Sequence, residues 1–256
     1  MEFERYQNGV PSWVDLGSTD LAKSREFYGA LFGWNCPEGP LEAGGYTVCD
    51  LDGKSVAGLG PQMNPDAPPN WMTYVNVDSA DDTVAKVSAN GGTVFVPPMD
   101  VMEAGRMSVF ADPVGAVIGL WQPKEHTGAQ VANEPNTYCW SELVTTDLDA
   151  SKAFYGAVFG WDAVDQGPPG GPPAYTEWQL GGRSIGGMLL KSPDMPAEMP
   201  PAWGVYFVVA DTDATVAKAQ ELGASVFMGP TDIEPGRFAV LADNVGAVFN
   251  VLQLKG

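Results

Sequence analysis

The spacing of apolar and polar residues predicts one succession of elements, repeated along the chain. Residues 11–17 alternate as a half-buried strand. Leu21, Phe27, Tyr28 and Leu31 then form a helical stripe that Gly33 stops. A cap near Ser18 or Thr19 is expected, with Asp20 in the first turn at the positive end of the dipole. Strands are predicted over 46–51 and 55–59, joined by the turn Asp52-Gly53. A proline-rich crossing over 61–69 separates this module from a second one. That module opens with a strand at 71–77. Its helix runs from Ser79, spaced from Asp82 as a capping box, to Gly91, and strands follow over 93–96, 107–110 and 116–122.

The plan then recurs. Trp13-Val14-Asp15-Leu16 through Asp20 returns as Trp140-Ser141-Glu142-Leu143 through Asp147, and Phe27-Tyr28-Gly29-Ala30-Leu31-Phe32-Gly33-Trp34 returns as Phe154-Tyr155-Gly156-Ala157-Val158-Phe159-Gly160-Trp161. Asp20 against Asp147 gives an offset of 127, and Arg106 against Arg237 an offset of 131, so the second copy carries only four net inserted residues between those points. Such self-similarity marks a tandem duplication. The expected organisation is one domain over 1–125, a linker over 126–135 and a second domain over 136–256. The 256 residues fit two domains, and 45% hydrophobic residues suffice for a core in each.

Charge narrows the partners. With 32 acids against 13 bases the net charge is −19, which argues against nucleic acid or phosphate-rich partners. Solubility is the simplest reading of the acidity. No apolar run approaches the ~20 residues that span a bilayer, and the polar start Met1-Glu2-Phe3-Glu4-Arg5 lacks a signal-peptide stretch. Cys36, Cys49 and Cys139 are odd in number and lack CxxC spacing, so reduced thiols and a cytoplasmic location are expected, without a disulfide or zinc knuckle. A monomer or a homodimer is compatible with the duplication.

On these motifs the sequence resembles the vicinal oxygen chelate superfamily, also called glyoxalase/bleomycin-resistance/dioxygenase. The resemblance rests on the "DL…FY…LFGW" segment in both halves, the Val77-Asp78 and Val209-Ala210-Asp211 junctions, and the endings "DPVGAVIGLWQ" and "DNVGAVFNVLQ". It is most similar to a two-domain actinobacterial branch that includes a mycobacterial glyoxalase-like secreted antigen and hydroxylases of polyketide clusters. The resemblance implies an α+β fold in which four βαβββ modules form two cupped mixed sheets, each curled around a ligand.

Metal-dependent members project His, Gln or Glu into the cup from fixed strand positions, because a divalent ion needs three or four converging ligands. Carried over by the resemblance, those positions fall on Trp13 and Trp140, Met72 and Gly204, Gly119 and Asn250, and near Gly58 and Gly187. None is a histidine. The single His126 lies in the linker and reads as a solvated surface residue. No metal and no other cofactor is therefore expected; no GxGxxG context or Gly-x-Ser-x-Gly elbow occurs, and Gly44-Gly45 and Gly170-Gly171 read as loops.

Strand parity lists what faces each cup instead. Trp13, Asp15, Met72, Tyr74 and Trp121 share one concave face with Gly119, and Trp140, Glu142, Tyr206, Asn250 and Leu252 the other with Gly204. Trp13 and Trp140 are either core filler or stacking platforms. Asp15 and Glu142 either pair with the repeated Arg106 and Arg237, the preferred reading, or serve as general bases. Arg106 and Arg237 are candidate ligand contacts on the same ground. Phe27, Phe154, Trp34 and Trp161 belong to the core.

Two functions of different class follow. One is a metal-free binding protein whose aromatic cup takes a small apolar or planar metabolite, in natural-product binding or resistance. The other is a cofactor-independent lyase, isomerase or oxygenase with Asp15 or Glu142 as base, acting on an aromatic polyketide or dicarbonyl. A glyoxalase-type detoxifying lyase is a third. Gly204, roomier than Met72, favours the second half as the occupied site.

Overall fold

The computed structural model describes residues 1–64, 66–167 and 174–255; Gly170-Gly171 lies outside the described residues. In the first half the strands are β1 (Pro11–Ser18), β2 (Thr47–Leu51), β3 (Lys54–Pro61), β4 (Asn70–Asn76), β5 (Thr93–Val101), β6 (Gly105–Ala111) and β7 (Val117–Pro123), with helices α1 (Leu21–Phe32) and α2 (Ala80–Ala89). They form one seven-stranded mixed sheet in the order β2-β3-β1-β4-β7-β6-β5. The second half supplies β8 (Tyr138–Thr145), α3 (Leu148–Phe159), β9 (Asp162–Gln166), β10 (Tyr175–Leu180), β11 (Arg183–Leu190), β12 (Ala202–Val208), α4 (Thr212–Glu221), β13 (Ser225–Ile233), β14 (Gly236–Ala242) and β15 (Val248–Leu254). Its eight-stranded sheet runs β13-β14-β15-β12-β8-β11-β10-β9. The α+β fold is as expected.

Local chemistry explains the element ends, with one shift. Asp20 itself is the cap of α1: its side chain accepts from the Lys23 N–H, while Ser18 Oγ accepts from the Asp20 N–H. Asp147 repeats this at α3, and Ser79 caps α2 through the Asp82 N–H as its spacing predicts. Gly33 and Gly160 close α1 and α3 at φ 78° and 73°, where a side chain would be strained. No described helix is long and apolar enough to cross a membrane.

The expectation of one core per half needs correction. Apolar faces of α1 and β1 pack with Phe207, Phe249, Val216 and Ala219 of the second half. Reciprocally, Phe110, Ile118 and Val87 pack with Phe154, Tyr155, Trp178 and Trp203. Both large cores are shared because the two sheets meet on the faces opposite their cups, where a stripe repeated in both halves finds its most apolar partner in the other copy.

Polar groups inside these cores are bonded across the halves too. The Tyr28 hydroxyl donates to Asp243 at 2.8 Å and accepts from Trp71 Nε1 at 2.9 Å. The Tyr155 hydroxyl donates to Asp112 at 3.1 Å and accepts from Trp203 Nε1 at 2.8 Å. Trp34 and Trp161 donate to the backbone oxygens of Asn136 and Gly9, again in the other half.

A disulfide joins Cys36 and Cys49, contrary to the expectation of three reduced thiols. Thirteen residues separate them, but an isolated antiparallel bridge between Asn35 and Asp50 brings their backbones together. Cys139 remains a free thiol, and burial pushes it up to about 12.

A candidate carboxylate–tyrosine cup in each half

Strand alternation puts Val14 and Leu16 into a core and turns Trp13 and Asp15 to the concave face of the first sheet. In register beside them, Trp13 lies opposite Tyr74, and Asp15 lies between Gly58 and Met72. Tyr74 is in turn aligned with Gly119. The second cup repeats these rows: Glu142 lies between Gly187 and Gly204, and Trp140 lies opposite Tyr206, itself aligned with Asn250.

Each carboxylate sits in a cage of phenols. Trp13 Nε1 donates to the Tyr46 hydroxyl at 3.0 Å, which donates to Asp15 at 3.2 Å; the Tyr74 hydroxyl lies near the same carboxylate. In the second cup Trp140 Nε1 donates to the Tyr175 hydroxyl at 2.9 Å, and Tyr206 donates to Glu142 at 2.7 Å. The Tyr175 hydroxyl lies near Glu142 as well. Burial pushes Asp15 up to about 7, only partly countered by the two tyrosines, and it raises Glu142 in the same way. Neighbouring carboxylate charge and burial together hold all four phenols well above their ordinary range.

Sequence parity thus brings Trp13, Asp15, Met72, Tyr74 and Trp121 together, and likewise Trp140, Glu142, Tyr206 and Asn250. It missed Tyr46 and Tyr175. A signal was present, since Tyr46-Thr47 and Tyr175-Thr176 recur in both copies, Tyr46 immediately before β2 and Tyr175 as the first residue of β10.

Arg106 and Arg237 are not the partners of these carboxylates. Arg106 bonds Asp81 at 2.9 Å and lies 3.3 Å from Asp100; Arg237 bonds Asp213 at 2.6 Å and Asp232 at 2.9 Å, all four acids being exposed. Their side chains face the first turns of α2 and α4, because the neighbours Gly105 and Met107 take the cup side of the strand. Among the described residues no Lys or Arg forms an ion pair with Asp15 or Glu142.

His126 also departs from expectation. It is not a solvated linker residue but lies edge-on to Trp13, ring centroids 4.3 Å apart, with Trp121 at 5.5 Å. Trp121 Nε1 donates to its backbone oxygen at 2.7 Å, and the Ala129 N–H donates to Ser12 at 2.8 Å, pinning the segment over the cup. Burial pushes the imidazole down to about 4, so it is neutral.

The metal-ligand positions of the fold do not fit a metal here. Trp13, Trp140, Gly58, Gly119, Gly187 and Gly204 carry no metal-binding donor, Met72 offers only a soft thioether, and the Asn250 amide nitrogen is engaged by the Val205 carbonyl at 3.1 Å. A Cβ on Gly58 would lie 2.0 Å from the Tyr46 hydroxyl, and one on Gly187 would lie 1.7 Å from that of Tyr175. Phenols fill the space that a ligating side chain needs. No group of three or more His, Cys, Asp or Glu among the described residues could hold an ion.

A profile described as Glyoxalase/Bleomycin resistance protein/Dioxygenase superfamily matches residues 11–120 and 137–251. The chain belongs to this superfamily. It is 44% identical to "Putative glyoxylase CFP32" of Mycobacterium tuberculosis over 255 residues, covering 97% of this chain and 96% of that one. It is 39% identical to "Anthracycline biosynthesis protein DnrV" of Streptomyces peucetius, covering 98% and 95%. Among solved structures it resembles the Mn(II)-bound glyoxalase of Novosphingobium aromaticivorans (TM-score 0.66, 16% identity, covering 97% of this chain and 83% of that one). The 2,3-dioxygenase LapB of Pseudomonas sp. KL28 is also similar (TM-score 0.67, 15% identity, covering 97% and 93%). At such identities these two share the fold.

Proposed function

We propose that this superfamily member is a metal-free binding protein whose aromatic cup encloses a small planar or apolar metabolite. The observation that carries the reading is the replacement of ligating side chains by Tyr46 and Tyr175, whose hydroxyls close onto Asp15 and Glu142. Aromatic walls with a few orienting polar groups are the usual make-up of a ligand pocket. Similarity to a protein named for anthracycline biosynthesis favours a polycyclic aromatic as the class of metabolite to examine first. The test is a panel of such compounds against tryptophan emission and melting temperature, alongside elemental analysis. Binding without stoichiometric metal is expected. An unresponsive protein, or one carrying an equivalent of zinc, nickel or iron, defeats the reading and revives a glyoxalase-type lyase.

A second reading, a cofactor-independent lyase, isomerase or oxygenase, is favoured by one property: Asp15 titrates near about 7, where a general base works best at neutral pH. Asp15→Asn with Glu142→Gln should then abolish turnover of a bound polyketide or dicarbonyl while sparing its binding. Undiminished turnover in the double variant removes both residues from that role.

A further inference from the structure

The two cups are alike in their carboxylate cages and unlike in what lies over them. The first already holds a ring, the imidazole of His126 against Trp13, and Trp13 is only 2% exposed. Trp140, its counterpart, has no ring partner among the described residues and is partly exposed. Two residues beside it are smaller, Gly204 replacing Met72 and Leu252 replacing Trp121, while Asn250 and Phe238 replace Gly119 and Met107 farther along the sheet. A ring of the chain itself covers the indole in one half, and none among the described residues does in the other.

The carboxylate of this second cup is unbalanced. Glu142 accepts a hydrogen bond from Tyr206, the Tyr175 hydroxyl is nearby, and no Lys or Arg among the described residues pairs with it. Arg237, the nearest candidate by sequence, is committed to Asp213 and Asp232 on the other side of the sheet. Phenols can stabilise a carboxylate, but they bring no countercharge. Trp140, Tyr175 and Tyr206 present π-systems around it, with Phe238 6.5 Å from Tyr206. Aromatic faces and a carboxylate both attract a cation, and a net charge of −19 draws one in.

We propose that the second cup binds a flat aromatic cation, its ring on Trp140 and its positive group facing Glu142. This rests on the binding reading above and adds the site and the charge class of the ligand. The first cup, closed by His126, is not the binding site for such a molecule.

Benzamidine and benzamide test this, because they share size and shape and differ in charge. The probes are titrated into the full chain at about pH 8, with the indole N–H signals followed by NMR and those of Trp140 and Trp13 assigned through Trp140→Phe and Trp13→Phe. Benzamidine should move the Trp140 signal with one equivalent per chain and bind about tenfold more tightly than benzamide. Glu142→Gln should erase that preference, whereas Arg237→Gln should leave it intact. Equal affinity for the two probes overturns the charge assignment while leaving an aromatic-binding cup in place. A response at Trp13 in place of Trp140 overturns the location. Should neither probe nor any aromatic compound of the panel shift an indole signal, the binding reading itself falls. If Glu142→Gln fails to fold, the wild-type benzamidine-to-benzamide ratio still decides.

Discussion

Replacing Asp15 by Asn should make the protein more stable in mild alkali and leave it nearly unchanged in acid. Asp15 titrates near about 7 in the fold, against roughly 4 in an unfolded chain. Between those values the folded protein holds a proton that the unfolded chain has released, so stability declines as pH rises through that window and is level above it. Three pH units at about 1.4 kcal/mol each give roughly 4 kcal/mol. Asp15 keeps some contact with solvent, which screens the charge and brings the expected penalty to about 2–4 kcal/mol. Asn is neutral at every pH and its carbonyl can still accept from Tyr46, so the variant escapes the penalty. For a chain of 256 residues each kcal/mol is worth about 2 °C of melting temperature. The variant should therefore gain about 4–8 °C over wild type at pH 8 and little at pH 4.5. Thermal unfolding of both proteins at the two pH values measures this. A variant whose effect is the same at both values would refute the reasoning, because it would mean that the Asp15 charge is already neutralised in the cup.

Other outcomes follow from individual contacts. Tyr28→Phe removes hydrogen bonds to Asp243 and from Trp71 in a buried setting, and a loss of about 2–4 kcal/mol by urea denaturation is expected; a loss below 0.5 kcal/mol would mean that water replaces the hydroxyl. Cys36→Ser with Cys49→Ser opens a loop of 13 residues and should cost about 3 kcal/mol. In the native protein an alkylating reagent should find no reactive thiol, since Cys139 is largely buried and titrates near about 12, and rapid labelling of three cysteines by intact mass would contradict the disulfide. Gly187→Ala places a methyl where the Tyr175 hydroxyl stands; crystallography should find Tyr175 displaced from Glu142, and an unmoved ring would show that the strand yields instead.

The sequence made the fold legible because the duplication doubled every signal: Phe27-Tyr28 and Phe154-Tyr155 mark one helix face twice, and Asp20 and Asp147 mark its start. Cup-facing residues were legible for a similar reason, as strand parity is strict once one residue is oriented. What parity does not supply is distance across the sheet. Tyr46 meets Asp15 because β2 lies two strands away and a long phenol reaches over Gly58. Arg106 is suggested as a partner of Asp15 by its repetition alone, and strand parity with Gly105 and Met107 sends it to the opposite face. His126 reads as a solvated linker residue because no periodicity governs the segment that carries it over Trp13. The disulfide was hidden because Cys36 and Cys49 are brought together by a backbone bridge, with no local spacing to announce it.

The bond between Tyr28 and Asp243 spans 215 positions, and this bears on how the protein is made. A ribosome adding about 5–20 residues per second delivers Asp243 roughly 10–40 s after Tyr28. Through most of that interval Phe27, Tyr28, Phe32 and Trp34 lack the Phe207 that helps cover them in the finished protein, and through all of it they lack Phe249. The nascent amino-terminal half therefore carries an uncovered aromatic face, a natural target for holding chaperones and for mispairing with the same face of a neighbouring chain. Expressed by itself, that half should aggregate or dimerise through this face, and supplying the other half in trans should rescue it.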